Sequence, residues 1–260
     1  MPLLAVTRAV SAAIPRCELT HVARARIDVA RARAQHQAYE RALGEAGASI
    51  VRVDAAPELP DAVFVEDAAI VLDEVAIVMR PGAVSRRAEV AGVETTVAQF
   101  RPIHRIEPPA TIDGGDVLLV GRTMYVGQTT RTNAPAVEQL LARLAPLGYD
   151  VRAVPVHGCL HLKSAVTSLD ARRVLVNPAW VDEAILEGLE RVDVDPREPA
   201  AANIVRVGET LVYPDAFPRT RERIEALGYR VATVDVSEIA KAEGGVTCCS
   251  LIFDATRPGL

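Results

Sequence analysis

The sequence lacks the features that would take a chain into or across a membrane. No apolar run among its 260 residues approaches the roughly 18 residues that a membrane helix needs. The N-terminus, MPLLAVTRAV, has no basic start followed by a long apolar stretch, so no signal peptide is visible. We therefore expect a soluble, cytoplasmic protein that does not bind a membrane.

An excess of positive charge is also missing. The chain has 29 lysines and arginines against 34 aspartates and glutamates, a formal net charge of −5, and no basic patch runs along it. Proteins that bind nucleic acid usually present clustered lysine and arginine to the phosphates. We therefore expect no nucleic acid partner.

Cysteines are few, and their spacing excludes two common uses. Cys17, Cys159, Cys248 and Cys249 form no CxxC pair and no zinc-ribbon pattern. The neighbours Cys248 and Cys249 would point to opposite faces of a strand, which disfavours an ordinary structural disulfide between them. We expect reduced thiols.

What the sequence does contain is a repeated order of strands and helices. Hairpin turns near residues 73, 122 and 171 follow one another at intervals of 49 residues, and a fourth lies near residue 208. A fixed period of this size is typical of repeated supersecondary units. Each unit reads as a strand, its hairpin partner, a helix and a further strand. The pattern predicts helices over residues 22–47, 84–100, 135–147, 182–189 and 218–227.

The fifth unit has only one strand of its hairpin, near residues 248–253, at the end of the chain. The N-terminal strand, residues 3–7, could supply the missing partner and close a ring of five units. Closure removes exposed sheet edges, as it does in propellers. It would also bring the loops at the strand ends around one central opening, where residues distant in sequence converge.

The tail of the chain, Glu243-Gly-Gly-Val-Thr-Cys-Cys-Ser250, is the strongest candidate for chemistry. Two glycines permit positive φ or a close backbone approach, and a thiol held at such a turn is well placed to act as a nucleophile. It would react as a thiolate and would need a base or cation nearby. The alternative is a small apolar pair that closes a core strand, since free cysteine is often buried.

Acidic residues stand at the start of the first two hairpins. Asp61, Glu66 and Asp67 fall within seven residues, and two of them interrupt the apolar strand predicted over residues 64–72. Buried carboxylates usually have a cationic partner, although a solvated loop would look similar. The second hairpin begins with Asp113-Gly-Gly-Asp116, in which either acid could orient a histidine.

Histidines and arginines complete the set of candidates. His157 and His161 flank Gly-Cys-Leu, and the strand-like surroundings favour one histidine as a general acid and base over a helical metal pair. Arg86 and Arg131 follow hairpins at predicted helix starts, where each could bind a carboxylate in a bidentate manner.

Together these stretches resemble the dimethylarginine dimethylaminohydrolase family of the guanidino-modifying, or pentein, superfamily. The matching segments cover most of the chain in the family's order: IDVARARAQHQAYERAL, LPDAVFVEDAAIV, MRPGAVSRRAEV, IDGGDVLLVGRTMYVGQTTRTN, LHLKSAVTSLD and GGVTCCS. The resemblance implies an α/β fold, a five-bladed α/β-propeller of ββαβ repeats. It also implies that residues 1–260 form a single pentein domain, closed by pairing of the N- and C-terminal strands.

The resemblance also implies roles for individual residues. Cys248 would be the nucleophile, His161 the general acid and base, and Asp113 the acid beside that histidine. Seven residues would bind the substrate: Leu19 at a flexible lid, Asp61, Glu66 and Asp67 at the cationic groups, Arg86 and Arg131 at the α-carboxylate, and Glu243 at the guanidinium. No metal and no organic cofactor is required for this chemistry.

The activity implied by the resemblance is hydrolysis of N-ω-methylated arginines, asymmetric dimethylarginine and monomethylarginine, to citrulline and methylamines. The reaction would pass through a covalent thiouronium on Cys248. An arginine deiminase or another guanidine hydrolase is the first alternative, although 260 residues leave no room for the helical domain usually inserted in arginine deiminases. The second is a non-catalytic pentein that binds a macromolecule, like the ribosome anti-association factor. A homodimer is possible.

Overall fold

A computed structural model of the chain describes residues 2–256. Within this range the strands, in chain order, are β1 Leu3–Thr7, β2 Ala48–Arg52, β3 Ala69–Val71, β4 Ala76–Val78, β5 Ile103–Arg105, β6 Val117–Val120, β7 Thr123–Gln128, β8 Asp150–Pro155, β9 Val166–Ser168, β10 Arg173–Val176, β11 Glu190–Asp193, β12 Val205–Val207, β13 Thr210–Pro214, β14 Arg230–Val234 and β15 Leu251–Asp254. They form five three-stranded sheets in this part of the chain. Met1 and residues 257–260, which the domain prediction included, lie outside the described range.

All five sheets repeat one pattern. The middle strand pairs antiparallel with the strand that precedes it and parallel with the strand that follows, as β4 does with β3 and β5. In the sheet that joins the two ends of the chain, β1 is the middle strand and pairs antiparallel with β15 and parallel with β2. The register there sets Leu4 opposite Phe253 and Val6 opposite Leu251. The sheets therefore have the strand order that the hairpin spacing predicts.

In four of the five sheets an α-helix connects the middle strand to the third strand. The α-helices of the described range are α1 Val29–Glu45, α2 Val90–Val97, α3 Ala134–Leu144, α4 Leu162–Ala165, α5 Pro218–Ala226 and α6 Ser237–Ala240. Helix α1 begins seven residues later than the predicted residue 22, because the Asp28 carboxylate accepts the N–H groups of Ala30 and Arg31 and so caps the helix there. The fourth connection, predicted as a helix over residues 182–189, contains only a 3₁₀ turn, Glu183–Leu186.

The apolar core lies between neighbouring sheets and forms a ring. One cluster packs Tyr39 and Leu43 of α1 against Val207 and Val212 of the preceding unit. Four further clusters of the described residues join the remaining neighbours in the same way. Because each cluster needs side chains from two units, the units stabilise one another around the ring.

The start of the inner strands differs from the sequence-based expectation. We call the strand that pairs antiparallel with the middle strand the inner strand. In four of the five sheets a short helical turn precedes it, and these turns are Val65–Ala68, Gly114–Asp116, Leu162–Ala165 and Thr247–Cys249. The strand predicted over residues 64–72 therefore begins only at Ala69, and the last strand begins at Leu251, beyond the cysteine pair. The apolar run over residues 64–72 looked strand-like because all four residues of the turn Val65–Ala68 are buried, like most residues of the strand that follows.

Between residues 2 and 256 the structure contains no helix that is both long and apolar enough to span a bilayer.

The fold predicts a stabilising role for Tyr39, which links α1 to the cysteine turn. Its buried hydroxyl donates to the Val246 carbonyl at 2.7 Å and lies 2.7 Å from Ser250 Oγ. We expect Tyr39→Phe to lower the free energy of unfolding by about 1–3 kcal/mol, because two buried groups lose their partner. Urea denaturation measures this change.

Tyr125→Phe is the matched control, because the Tyr125 hydroxyl has no hydrogen-bond partner within residues 2–256. We expect that variant to unfold like the wild type. Equal losses in the two variants would contradict the role given to the Tyr39 hydroxyl.

Candidate active site

Side chains within or next to three of the four helical turns line one small cavity. Seven of the ten predicted site residues line it: Asp61, Asp67, Arg86, Arg131, His161, Glu243 and Cys248. Glu66 and Asp113 lie directly behind lining residues, and Leu19 packs partly buried against the core beside the cavity. The ring thus brings together residues that are separated by up to 187 positions in sequence, from Asp61 to Cys248.

Only one of the two neighbouring thiols lines the cavity. Cys248 Sγ accepts the Gly245 N–H at 3.3 Å and lies 3.9 Å from Thr247 Oγ1. Cys249 is 2% exposed, and its Sγ faces the Gly245 carbonyl at 3.6 Å. Both are free thiols. The 3₁₀ turn rotates the two side chains apart, so Cys248 is the thiol that a bound molecule would meet.

Burial and the nearby carboxylates of Glu66 and Asp67 together raise the pKa of the Cys248 thiol to about 12. A thiol in this environment stays protonated near neutral pH. A cation placed in the cavity would oppose both carboxylates and lower the pKa again. The site is therefore built to hold a positive charge next to this sulfur.

The glycine pair before the thiols is required for close approach. A Cβ on Gly244 would lie 2.2 Å from Phe64 Cε1, and one on Gly245 would lie 2.3 Å from Asn203 Oδ1. Neither glycine has positive φ. Within residues 2–256, Glu243 is the non-glycine residue that does, with φ 60°. Of the two uses expected for the glycines, the structure shows the close approach.

His161 is held by acids on two sides. Its Nε2 lies 3.1 Å from Asp113 Oδ2, and its Nδ1 lies 3.9 Å from Asp67 Oδ1. Burial lowers its pKa, but the charges of Asp67 and Asp116 and the hydrogen bond with Asp113 outweigh this effect and raise the pKa to about 9. At neutral pH the group is an imidazolium, which can donate a proton.

The Asp113-Gly-Gly-Asp116 turn divides its acids between two tasks. Asp113 contacts His161, whereas Asp116 accepts from Thr129 Oγ1, Thr132 Oγ1 and the Leu162 N–H at 2.6–3.0 Å. A Cβ on Gly115 would lie 2.5 Å from His161 Nδ1. The turn therefore has to contain glycine there for the histidine to reach Asp113.

The three acids around the first inner strand have different surroundings. Asp61 accepts the Glu18 N–H at 3.1 Å, and burial raises its pKa. Asp67 accepts the Gly115 N–H at 2.9 Å. Glu66 faces away from the cavity, where it accepts from Lys163 Nζ at 2.5 Å and from Thr247 Oγ1 at 2.8 Å. Glu66 thus supports the residue next to the thiol, and its predicted contact with substrate stays a prediction.

The two arginines also differ in how many of their donors are free. Arg86 donates from Nη1 to Asp67 at 2.6 Å and from Nε and Nη2 to Glu89 at 3.2 and 3.1 Å. Arg131 donates from Nη2 to Thr20 Oγ1 at 3.1 Å, and its buried Nη1 has no hydrogen-bond partner within residues 2–256. A buried donor without a partner is costly. Arg131 therefore has one donor without a hydrogen bond, which lies 3.6 Å from Asp113 Oδ2, whereas the guanidinium of Arg86 is largely occupied by protein acids.

Residues 17–28, here called the lid segment, run irregularly from the first 3₁₀ turn to α1 and cross the cavity. The Glu243 carboxylate accepts the N–H groups of Thr20 and His21 at 2.7 and 2.8 Å. Arg131 holds the Thr20 side chain, and Asp61 holds the Glu18 N–H. Three predicted substrate residues thus bind the lid segment, and a contact of Glu243 with a guanidinium stays a prediction.

The carboxylates of Asp67 and Asp113 and the imidazole of His161 are the group of described residues whose donor atoms approach one another within 4.8 Å, as a metal ion would need. Each carboxylate already faces an arginine, with Asp67 2.6 Å from Arg86 and Asp113 3.6 Å from Arg131. A divalent ion would have to share the acids with these cations. The geometry is better suited to an organic cation of low charge.

The sequence reasoning missed several supporting residues. Lys163 and Thr247 hold Glu66, and Glu89 holds Arg86. Their signal was present in part, because buried acids require cations and Lys163 stands only two residues after His161. Glu18, which lines the cavity, stands beside the predicted Leu19. Which cation serves which acid depends on the tertiary arrangement.

Known proteins with similar sequences share most of the chain. The N(G),N(G)-dimethylarginine dimethylaminohydrolase of Streptomyces coelicolor is 44% identical over 234 residues, which cover 90% of this chain and 90% of that protein. The protein of the same name from Pseudomonas aeruginosa is 40% identical over 228 residues, covering 87% of this chain and 90% of that protein. No protein-family model matches the chain.

Solved structures show the same architecture. A cysteine-to-serine mutant of the Pseudomonas aeruginosa enzyme in complex with citrulline matches 97% of this chain and 100% of its own, with a TM-score of 0.91 and 35% identity. A histidine-to-glycine mutant of dimethylarginine dimethylaminohydrolase, an adduct with S-methyl-L-thiocitrulline, matches with a TM-score of 0.91 and 36% identity over the same shares. The N-terminal domain of a cyanobacterial arginine dihydrolase matches in fold, with a TM-score of 0.87 at 18% identity. The predicted fold class, an α/β-propeller of the pentein type, is confirmed.

The lid segment yields a prediction about Glu243. Glu243→Gln leaves one carbonyl oxygen for two backbone N–H groups, so one of Thr20 and His21 loses its partner. We expect hydrogen exchange of these amides to accelerate about tenfold or more, as loss of a charge-assisted hydrogen bond implies. Exchange measured by NMR in wild type and variant tests this.

Glu45→Gln is the control, because Glu45 is exposed and has no side-chain partner within residues 2–256. We expect its lid amides to exchange at the wild-type rate. An unchanged rate in Glu243→Gln would show that Glu243 does not hold the lid segment.

Proposed function

Because the chain belongs to the dimethylarginine dimethylaminohydrolase family, we propose that it hydrolyses N-ω-methylated arginines, asymmetric dimethylarginine and monomethylarginine, to citrulline and methylamines. The observation that carries the proposal is the cavity in which a thiol, an imidazolium and buried carboxylates face one another. Solved relatives with the same architecture bind citrulline or form an adduct with a thiocitrulline.

The substrate guanidinium itself activates the nucleophile. The pKa of the Cys248 thiol is about 12 because of burial and the nearby acids Glu66 and Asp67. A guanidinium held beside Asp67 adds a positive charge close to the sulfur and lowers that pKa. The thiol proton leaves to solvent, and the thiolate forms only when a substrate is present. A thiolate beside a bound cation is also partly desolvated and correctly placed.

The first half of the reaction replaces the amine by sulfur. The Cys248 thiolate attacks Cζ of the guanidinium and forms a C–S bond, which gives a tetrahedral adduct. The His161 imidazolium, with a pKa raised to about 9, donates its proton to the methylated nitrogen. The C–N bond then breaks, the neutral amine leaves, and a positively charged thiouronium remains on the sulfur.

The second half of the reaction returns the enzyme to its starting state. His161 is now neutral and accepts a proton from a water molecule, whose oxygen attacks Cζ. The C–S bond breaks, the hydroxyl proton of the adduct passes to solvent as the carbonyl of citrulline forms, citrulline is released, and the thiolate regains a proton from solvent. Asp113, which contacts His161 Nε2 at 3.1 Å, keeps the ring in one orientation and stabilises its charged form in both halves. The residues present supply both proton transfers.

The cavity supports a binding mode for a whole amino acid. Asp67 lies 3.9 Å from His161 and would therefore face the guanidinium end of the substrate. Asp61 lies beside Glu18 of the lid segment, where it would bind the substrate's α-amino group. Arg131, whose Nη1 makes no hydrogen bond and lies 3.6 Å from Asp113 Oδ2, is the proposed ligand for the α-carboxylate. Arg86 contributes mainly by holding Asp67, since its donors are largely engaged.

No specific observation favours either alternative, an arginine deiminase or another guanidine hydrolase, or a non-catalytic pentein that binds a macromolecule. The likeness to the arginine dihydrolase domain, at 18% identity, shows the fold alone. A propeller that only binds a macromolecule would not need the thiol, histidine and acids together in one cavity. A single domain over residues 1–260, a homodimer and a cytoplasmic location stay predictions.

The first test concerns the nucleophile. We expect Cys248→Ser to lower kcat for dimethylarginine by about 1,000-fold or more, because a hydroxyl is a much weaker nucleophile towards an amidinium carbon. Citrulline formation measures the rate, and intact-mass spectra of quenched wild-type reactions should show an adduct on the peptide that carries Cys248.

Cys249→Ser is the matched control for this test, because Cys249 points into the core. We expect it to retain most activity and to lose some stability. A dead Cys249→Ser variant beside an active Cys248→Ser variant would reverse the assignment.

The second test concerns the substrate's carboxylate. A charge pair in a closed site contributes on the order of 2–4 kcal/mol, so Arg131→Ala should lower kcat/KM for dimethylarginine about 30-fold or more. Dimethylagmatine, which lacks the carboxylate, should change much less. The ratio of kcat/KM for the two substrates, in wild type and variant, is the measurement. Equal losses for both would make Arg131 a structural residue.

A further inference from the structure

Glu89 is a buried acid that the mechanism above does not use. It is the last residue of the 3₁₀ turn Val84–Glu89 and immediately precedes α2. Its side chain is 5% exposed, and Oε2 accepts from Arg86 Nε at 3.2 Å and from Nη2 at 3.1 Å. It does not line the cavity. A carboxylate is costly to bury, so its position calls for an explanation beyond solvation.

The guanidinium of Arg86 donates hydrogen bonds to one acid on each of two edges. One edge, Nε and Nη2, faces Glu89, and the other, Nη1, donates to Asp67 Oδ2 at 2.6 Å. Nη2 also lies 3.4 Å from the Phe64 carbonyl. Because a guanidinium is planar with its donors in a fixed fork, two acids on opposite edges leave it one orientation.

Asp67 depends in turn on Arg86. It is buried, faces His161 at 3.9 Å, and takes one further hydrogen bond, from the Gly115 N–H. The positive charges of His161 and Arg86 outweigh burial and lower the pKa of Asp67, so the carboxylate stays ionised. A displaced Arg86 would leave this carboxylate less well compensated and free to turn away from the cavity.

We propose that Glu89 is a positioning residue for this reaction: it fixes the plane of Arg86, and Arg86 holds the Asp67 carboxylate in line with His161 and the substrate guanidinium. The proposal rests on the proposed function. The path runs from Glu89 through Arg86 to Asp67 by direct hydrogen bonds among buried groups. Attack on Cζ requires the plane of the substrate guanidinium to be aligned with the Cys248 thiolate. The loss of Glu89 should therefore lower mainly kcat.

The charge state of Glu89 should change within the working pH range. Burial raises its pKa to about 7, while Arg86 lowers it and the neighbouring acids Asp61 and Asp67 raise it. The other charged group at this residue is Arg8, whose Nη1 donates to the Glu89 backbone carbonyl at 3.0 Å. Above this pKa the carboxylate holds Arg86, and below it the protonated group holds Arg86 less strongly.

The closing experiment compares Glu89→Gln with Glu94→Gln. The control makes the same change on α2, where Glu94 pairs at the surface with Arg105. We expect kcat for dimethylarginine to fall about 10- to 100-fold in Glu89→Gln, with KM changed less than threefold, because a hydrogen bond to a charged group is lost while the amino-acid end stays bound. Glu94→Gln should match the wild type.

Two readouts separate positioning from general stability. The acid limb of the wild-type kcat profile should contain an ionisation near pH 7 that Glu89→Gln lacks. In a double-mutant cycle, Glu89→Gln should add little to the loss already caused by Arg86→Lys, because both changes act on one contact. Thermal unfolding of each variant is recorded alongside.

The outcomes distinguish this proposal from the proposed function. If the wild type does not release citrulline from dimethylarginine, the function fails. If the wild type is active but folded Glu89→Gln keeps its kcat and its acid limb, or if the two losses in the cycle simply add, the positioning role is overturned. Should Glu89→Gln not fold, a wild-type profile without an ionisation near pH 7 overturns it.

Discussion

The site depends on one constraint, which is that acids are buried beside a thiol and every acid needs its own donor. Asp67 is compensated by Arg86, and Glu66 by Lys163, both at short distance. Uncompensated, these carboxylates would be protonated or would unfold the turns that carry them. The acids also keep the pKa of Cys248 high. These acids therefore disfavour a free Cys248 thiolate and would stabilise a bound organic cation. Under the proposed function, the reactive thiolate would form only when the substrate is present.

The propeller satisfies that constraint by geometry. Four sheets place a short helical turn before their inner strands, and the turns aim side chains at the ring's centre. A strand at the same place would point alternate residues to opposite faces, so that Glu66 and Asp67, or Cys248 and Cys249, would be separated by a sheet. In the turns, one member of each pair lines the cavity and the other supports it from behind. The glycine pairs Gly114-Gly115 and Gly244-Gly245 contribute to this arrangement, because a side chain there would collide with residues of neighbouring turns and loops.

Several residues that line the cavity also hold the lid segment. Glu243, Arg131 and Asp61 each line the cavity and also hold a group of residues 18–21. A substrate that competes for Asp61 and Arg131 would weaken the same contacts that close the site. Glu243, whose φ of 60° is unusual for a residue with a side chain, keeps its bonds to the lid backbone in the closed arrangement. Residues that are proposed to bind the substrate therefore also hold the lid segment.

The choice of Cys248 and His161 came from the resemblance to a known family and stays a prediction. Local patterns in the sequence determined the order of strands and helices and the period of the repeat. These follow from nearest-neighbour physics: alternation, caps and glycine turns act over a few residues. The predicted strand over residues 64–72 was wrong in its first half, because all four residues of the turn Val65–Ala68 are buried, and a continuous buried run does not distinguish a short helical turn from a strand. Tertiary structure decided which acid meets which cation. That Asp113 contacts His161 and that Glu243 contacts the lid backbone depends on the ring closing, because these partners belong to segments whose distance is set only when five units pack together.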